Sequence, residues 1–314
     1  MPAEGSDKNS MSTNEEAKFK SGFINIIGKP NAGKSTLMNA LIGERMSIIS
    51  PKPQTTRHRI MGILTNERFQ MVFSDTPGYV DEPSYRMHEA MNKYVLSTLE
   101  DADAFLWLIN PFEKSPDYAA LLETLSNIEV PLFILINKTD QINEEVLNEM
   151  KAEWSELLPD AIVLPISALT KNGCEALLLK LEELLPEGPM YFPEDQISDR
   201  LDRFFISEII REKIFHQYQD EIPYTSEVVI EEYKETTTNL GVPIARIRAY
   251  ILVERETQKG ILLGKAGAAM KKTATAARIS AEEFLGTKVY LEITIKVVPK
   301  WRDDERMLKR LGYE

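Results

Sequence analysis

Along the first 190 residues, apolar side chains come in short continuous runs bounded by Gly, Pro, Ser or Asn, and amphipathic stretches fill the intervals. The runs at 23–27, 69–74, 104–110, 132–136 and 162–166 have the length of strands buried on both faces. Between them, 36–43, 87–99, 144–157 and 173–185 repeat apolar positions at helical spacing, the last stopping before Pro186. This alternation predicts an α/β domain, a mostly parallel sheet with helices on both faces. The Pro/Gly-rich stretch 186–193 marks a boundary. Beyond it the order changes to helix 202–218, strands 226–234 and 244–253, a helix around 259–263, helix 268–284 and strand 289–298, which predicts a second, α+β domain. Residues 1–20 are polar and without periodicity, as expected of a disordered tail. The chain therefore divides into a tail (1–20), a first domain (21–188), a linker (189–201) and a second domain with a C-terminal tail (202–314).

A 43% hydrophobic share across 314 residues is enough for two cores. No run approaches the ~20 apolar residues that span a bilayer, and residues 1–20 lack the apolar core of a secretory leader, so an intracellular protein is expected. The single cysteine, Cys174, excludes a disulfide framework and a Cys-based zinc site. His58, His88 and His216 show no metal-ligand spacing. A net charge of −12 argues superficially against nucleic acid. The acidity is uneven, however: residues 1–200 carry 18 basic and 31 acidic side chains, residues 201–314 carry 19 and 18. Within 257–281 lie Lys259, Lys265, Lys271, Lys272 and Arg278 with no acid at all, and such a local patch can bind phosphate whatever the total charge.

The stretch Gly28-Lys29-Pro30-Asn31-Ala32-Gly33-Lys34-Ser35, followed by Thr36, fits G-x-x-x-x-G-K-[ST] between a predicted strand and a predicted helix. Its glycines let backbone N–H groups curl around phosphate oxygens, and the helix start adds positive potential. Lys34 is expected to reach the β/γ-phosphates and Ser35 to offer its hydroxyl to Mg²⁺. Asn137-Lys138-Thr139-Asp140, at the end of an apolar strand, selects the base. The Asp140 carboxylate can accept from both N1–H and the exocyclic amine of guanine, whereas adenine would face it with an acceptor nitrogen. Asn137 can tie the base pocket to the phosphate loop, and the Lys138 stem can cover the ring. Asp75-Thr76-Pro77-Gly78 follows the strand at 69–74, with Asp75 placed for Mg²⁺ through water and the Gly78 amide for the γ-phosphate. Thr55 or Thr56 can supply another Mg²⁺ ligand when the γ-phosphate is present; Thr56 is favoured. Ser167 and Ala168 can present backbone donors to guanine O6. The metal set is thus Ser35, Thr56 and Asp75, and Lys34, Thr56 and Gly78 are expected to act on the reacting phosphate.

This series resembles the translation-factor-like GTPases, and Gln54-Thr-Thr-Arg-His-Arg-Ile60 resembles the Era subfamily of the TrmE-Era-EngA-YihA-Septin-like GTPases in particular. In the second half, Gly264-Lys265-Ala266-Gly267 is a G-x-x-G loop between two predicted helices. The strand order around it resembles the type II KH domain of that subfamily, whose loop clamps the backbone of about four nucleotides. Lys265, Lys271 and Lys272 would supply charge there, Arg246 and Arg248 point outward on one strand, and Ile261, Leu262, Leu263 and Met270 form groove or core. The resemblance covers 21–314. It implies an α/β P-loop GTPase domain followed by an α+β type II KH domain, and a switch that cycles between GTP and GDP with Mg²⁺. It implies binding to the 3′ region of 16S rRNA in 30S subunit biogenesis, by a monomeric, cytoplasmic protein with peripheral membrane association. Asn31 stands where asparagine in related GTPases can bind K⁺, or it only braces the loop. Tyr79 replaces the water-orienting Gln of Ras-like enzymes, which implies slow intrinsic hydrolysis. His58 with Arg57 or Arg59 would contact a partner or phosphate from the switch, and residues 301–306 with Leu308 and Leu311 read as a charged terminal helix. The same residues also suit a switch that gates a protein partner without RNA. An RNA-modifying GTPase has no second catalytic constellation to support it.

Overall fold

The computed structural model describes residues 18–50, 52–78, 80, 83–97, 101–113, 122–123, 125 and 128–313. The expectations for most of the tail, for Tyr79 and for the end of helix 87–99 lie outside the described residues.

The first domain runs β1 (Lys20–Gly28), α1 (Lys34–Ile42), β2 (Ile60–Thr65), β3 (Phe69–Asp75), α2 (Arg86–Ser97), β4 (Ala104–Ile109), β5 (Leu132–Ile136), α3 (Glu144–Leu157), β6 (Ile162–Pro165) and α4 (Cys174–Leu184). Its sheet has the order β2-β3-β1-β4-β5-β6, parallel except for β2. The fully buried strands AFLWLI and LFILI lack alternation because helices cover both their faces. One core lies under α1 and α4 (Leu37, Met38, Phe73, Phe133, Leu177) and another under α3 (Trp107, Ile134, Trp154). β1 sits between β3 and β4, so strand order reverses beside Gly28, where open α/β sheets bind ligands.

β2 was not among the predicted strands. Its sequence, IMGILT, interrupts the apolar run with Gly62 and follows a polar loop, and it forms as the antiparallel partner of β3. Its outer edge is covered by residues 197–199 of the expected linker, which is a fastened strap. Ile63 N donates to Ile197 O at 2.9 Å, Ser198 Oγ donates to Met61 O at 2.7 Å, and Met61 N donates to Asp199 Oδ1 at 3.0 Å. Pairing of this kind removes an open edge.

The second domain runs α5 (Asp202–Gln217), α6 (Ile222–Thr225), β7 (Glu227–Thr237), β8 (Pro243–Val253), α7 (Glu256–Leu263), α8 (Ala268–Leu285), β9 (Lys288–Val297) and α9 (Glu305–Arg310). β7 pairs antiparallel and β9 parallel with the central β8, and the parallel pair is crossed by α7 and α8. α5 and α8 pack on one face over Ile210, Ile214, Ile247, Ile251 and Ala277. Residues 301–306 are not one helix. Trp301–Asp303 is a single 3₁₀ turn, Asp304 caps α9 by accepting from Met307 N at 3.0 Å, and Trp301 is buried with its Nε1 donating to Thr225 O at 3.0 Å.

Candidate functional site

The chain leaves β1 at Gly28 (φ +146°) and enters α1 after Gly33 (φ +105°), so residues 29–33 form a tight loop with Asn31 also at positive φ. A Cβ on Gly33 would stand 2.2 Å from Asn137 Nδ2, which excludes any larger residue. Lys34 is buried, with Nζ donating to Gly28 O at 2.8 Å and to Lys29 O at 3.1 Å. Burial pushes its ammonium down to about 8, against the pull of Asp75; a polyphosphate beside it works in the opposite direction. Pro30, Asn31, Gly33, Ser35, Thr36 and Gly78 line the cleft in front of this loop, Ala32 is buried behind it, and Lys29 pairs with Glu113 at 4.0 Å.

Three oxygens converge at the mouth of the loop. Ser35 Oγ donates to Asp75 Oδ2 at 2.7 Å and lies 2.8 Å from Thr56 Oγ1, which is 3.4 Å from Asp75 Oδ2. Neighbouring oxygens in an octahedral Mg²⁺ shell of radius 2.0–2.1 Å stand about 2.9 Å apart, so the Ser35 and Thr56 hydroxyls fit two neighbouring positions of such a shell, with the Asp75 carboxylate behind them. Asp75 Oδ1 is buried without a partner, an acceptor that a Mg²⁺-bound water satisfies. Burial raises the Asp75 carboxyl, and Lys34 and the nearby hydroxyls counter it. The Thr55 hydroxyl points elsewhere and donates to Lys52 O at 2.6 Å. Thr76 Oγ1 donates to Ile26 O at 3.1 Å, Pro77 is buried, and a Cβ on Gly78 would come 2.9 Å from Pro30 Cγ. The 75–78 turn therefore lies against the phosphate loop.

The base end is assembled by Asn137. Its Nδ2 donates to Ala32 O at 2.7 Å and its Oδ1 accepts from Ala168 N at 3.0 Å, joining three loops through one amide. Lys138 takes a left-handed conformation, Thr139 N donates to Ile166 O at 3.2 Å, and Ser167 Oγ donates to Asp140 Oδ1 at 2.6 Å. That last bond holds the exposed Asp140 carboxyl below its ordinary range.

In the second domain Gly264 (φ +68°, ψ −174°) closes α7, Ala266 and Gly267 also have positive φ, and α8 begins at Ala268. Lys265, Ala266, Lys271 and Lys272 are exposed around this loop, as are Ile261 and Leu263. Leu262 and Met270 are core, which divides the expected groove-or-core set in two. Arg246 and Arg248 are exposed on β8.

Two family models match: "50S ribosome-binding GTPase" over residues 23–138 and "KH domain" over residues 221–302. A curated relative, GTPase Era of Clostridium kluyveri, is 43% identical over 297 residues, spanning 94% of this chain and all of the relative. The chain belongs to the Era family of GTPases. Era from Geotalea uraniireducens is 43% identical over 304 residues, 95% of this chain and 99% of its own. Among solved structures, Era with MgGDPNP and nucleotides 1506–1542 of 16S ribosomal RNA matches at TM-score 0.89 and 35% identity, over 94% of this chain and 99% of that one. An Era variant from Aquifex aeolicus bound to GDP·AlF4⁻ matches at TM-score 0.88.

In this Era-family chain the segment carrying Thr56 is held by the KH domain, a feature that sequence reasoning missed. Arg57 and His58 face that domain, not phosphate. The Arg57 guanidinium is buried and donates to Ser226 O at 2.7 Å, Pro223 O at 2.8 Å, Tyr224 O at 3.2 Å and Glu227 Oε2 at 2.9 Å. Tyr313 donates its hydroxyl to the same Glu227 oxygen at 2.6 Å. Burial alone would raise Glu227, but Arg57 and Arg211 hold it down at about 2. Lys52 donates to Phe215 O at 2.6 Å and to Tyr218 O, the free carbonyls at the end of α5. On the other side, Met87 and Met91 of α2 pack with Tyr250, Trp301, Leu308 and Tyr313. No local pattern marks these residues: Glu208, Arg211 and Glu212 interrupt an otherwise apolar face of α5 as solvent-facing charges would.

His58 packs against Tyr313 with the two rings tilted by 36° and their centroids 4.5 Å apart. Burial lowers its pKa, with Arg211 and Arg200 adding to the effect and Glu227 and Glu208 opposing it. Folded His58 is therefore neutral where the unfolded imidazole, titrating near 6.5, takes up a proton. Its contribution is complete above pH ~6.5 and is lost as pH falls below that value. The thermal midpoint should drop between pH 7 and 5.5, and His58→Gln should flatten that dependence. Equal slopes in the two proteins would contradict the assignment.

Proposed function

We propose that this chain is a GTP-binding, GTP-hydrolysing switch that binds the 3′ region of 16S rRNA and assists 30S subunit biogenesis. The reading is supported by one observation: the buried Lys34 of the glycine loop, the clustered Ser35, Thr56 and Asp75 oxygens, the Asn137–Asp140 loop and an exposed, lysine-flanked G-x-x-G loop occur in one chain. That chain superposes over 94% of its length on an Era held with MgGDPNP and 16S rRNA nucleotides. The proposed units are a G domain (21–188), the strap (189–201) and a type II KH domain with its tail (202–314).

In this reading Asp140 and Asn137 orient guanine, the 28–33 amides cradle the phosphates, and Lys34 neutralises the β/γ oxygens. Ser35 and Thr56 hold Mg²⁺, with Asp75 behind it through water. When bound, the ion neutralises charge developing on the transferred phosphoryl group. The Gly78 amide faces the terminal phosphate; with Tyr79 where Ras-like enzymes carry a water-orienting Gln, the in-line water is left to switch residues, backbone or a partner, and intrinsic hydrolysis is slow. Asn31 is proposed to admit K⁺ beside the phosphates; equal hydrolysis rates in K⁺ and Na⁺ buffers would remove that role. Monomeric behaviour and peripheral association with the inner face of the membrane belong to the same proposal. Among the described residues no helix is long and apolar enough to cross a membrane.

Nucleotide state reaches the RNA loop by a short path. Lys52, near Thr56, donates to the Tyr218 carbonyl, and the Tyr218 hydroxyl donates to Leu262 O at 2.8 Å, two residues before Gly264. Tyr218 Oη also lies 3.0 Å from Thr273 Oγ1 on α8. Titration of a 3′-terminal 16S fragment tests the RNA assignment. Binding should weaken steeply with salt as phosphate contacts are screened; a salt-independent constant, or none measurable, would refute it.

A further inference from the structure

The peptide joining Thr55 to Thr56 is gripped from both domains. On its front side the Thr56 hydroxyl meets Ser35 Oγ at 2.8 Å. On its rear side the Thr55 carbonyl accepts from Arg211 Nη2 at 2.5 Å. Arg211 is fully buried on α5, in the second domain. Its own orientation is fixed by a two-pronged contact with Glu208, Nε to Oε1 at 2.8 Å and Nη2 to Oε2 at 2.5 Å, and by the Phe215 ring 5.4 Å away. A bidentate guanidinium of this kind defines a direction as well as a charge.

A carbonyl held at one end of a peptide unit sets the plane of that unit, and hence where the next side chain leaves the backbone. Arg57, one residue beyond Thr56, is anchored in the opposite sense, reaching out of the switch into the second domain. Thr56 is therefore bracketed by two fixed points, both made by contacts between the two domains. The G domain supplies the hydroxyl; the KH domain supplies its aim.

We propose that Arg211 is a positioning residue for GTP hydrolysis: reaching from the KH domain, it fixes the Thr55–Thr56 peptide so that Thr56 can ligate Mg²⁺. The hydrolytic site is complete only while the two domains are docked. This rests on the reading of Thr56 as a ligand used in the GTP state. Arg211 contacts no ligand itself, so its loss should spare the affinity for GDP, whose binding uses the phosphate loop and the base pocket.

The test compares full-length wild type, Thr56→Ala, Arg211→Lys, and the pair Arg211→Met with Glu208→Gln, which avoids leaving a buried carboxylate unpartnered. For each, kcat, KM, the Mg²⁺ concentration for half-maximal rate, and GDP affinity are measured. Misaimed groups lose about tenfold to a hundredfold in rate. The expected result for Arg211→Lys and for the pair is a kcat lowered by about tenfold or more, a raised Mg²⁺ requirement, and KM and GDP affinity near wild type. Arg211→Lys keeps the charge but cannot make the two-pronged contact, so it decides the matter should the pair fail to fold. A lesion in fold alone would lower GDP affinity and activity together, and that outcome would overturn the proposal. Thr56→Ala slow with the Arg211 variants normal in kcat and Mg²⁺ requirement would also overturn it. Thr56→Ala hydrolysing as wild type would instead bring down the reading of Thr56, and the proposal with it.

Discussion

Asp140→Asn should cost GTP affinity at least about a hundredfold and transfer preference to xanthosine triphosphate. Two charge-assisted hydrogen bonds to guanine, each contributing about 1.5–3 kcal/mol, are replaced by a mismatch of donor against donor at the exocyclic amine. Xanthine carries a carbonyl at that position, so the new amide can donate to it while its oxygen still accepts from N1–H. The fold should tolerate the change, because Asp140 is exposed and its internal partner, Ser167 Oγ at 2.6 Å, can still donate, more weakly, to an amide oxygen. Competition assays with GTP, ATP and the xanthine nucleotide check this. Undiminished GTP selectivity would mean that Asp140 does not read the base.

Gly267→Asp should abolish most RNA affinity, about a hundredfold or more, while leaving hydrolysis in the absence of RNA at its wild-type rate. The position has φ +78° and open space around it, so the side chain adds strain of only about 1–3 kcal/mol but places a carboxylate where phosphate must approach. Gly264 is a less clean site. A Cβ there would stand 2.6 Å from Ala269 Cβ, and its φ/ψ lies where only glycine is comfortable, so substitution disturbs α8 as well. The Gly267 variant also separates the two uses of a GTPase switch. RNA affinity that survives the substitution would leave the G-x-x-G loop as a structural turn and favour a protein partner.

Much of the architecture was legible because its signals are local. The strands at 132–136 and 69–74, the helix at 144–157 and the strand–loop–helix setting of the phosphate loop each follow from contiguous apolar runs and punctuation by Gly and Pro. β2 was illegible because its strand character comes from β3 and the strap rather than from its own sequence. Residues 189–201 read as a linker for the same reason: nothing in that stretch announces that Ser198 and Asp199 will pair with Met61. At the site, motif residues stand out by spacing, whereas Lys52, Arg57, Arg211, Glu227 and Tyr313 act across up to about 260 residues of chain and leave no periodic trace. Buried charge of this kind becomes visible only when its partner is. Removing one member of such a pair costs about 3–5 kcal/mol because the other is left uncompensated. Docking between the domains is therefore exacting, and the tail bearing Trp301 and Tyr313 is part of it.

In the proposed switch the terminal phosphate, through Thr56 and the switch segment fastened to α5, sets how tightly the G-x-x-G loop holds RNA. Linkage makes that coupling reciprocal: RNA must shift affinity for the nucleotide analogue by the same factor as the analogue shifts affinity for RNA. The most direct test is calorimetric titration of a 3′-terminal 16S rRNA fragment into the full-length protein with a non-hydrolysable GTP analogue, with GDP, and without nucleotide. RNA affinities should differ by about fivefold or more between analogue and GDP, the lower end of typical coupling, with the matching change when the titration is reversed. The same RNA affinity in all three states would contradict it.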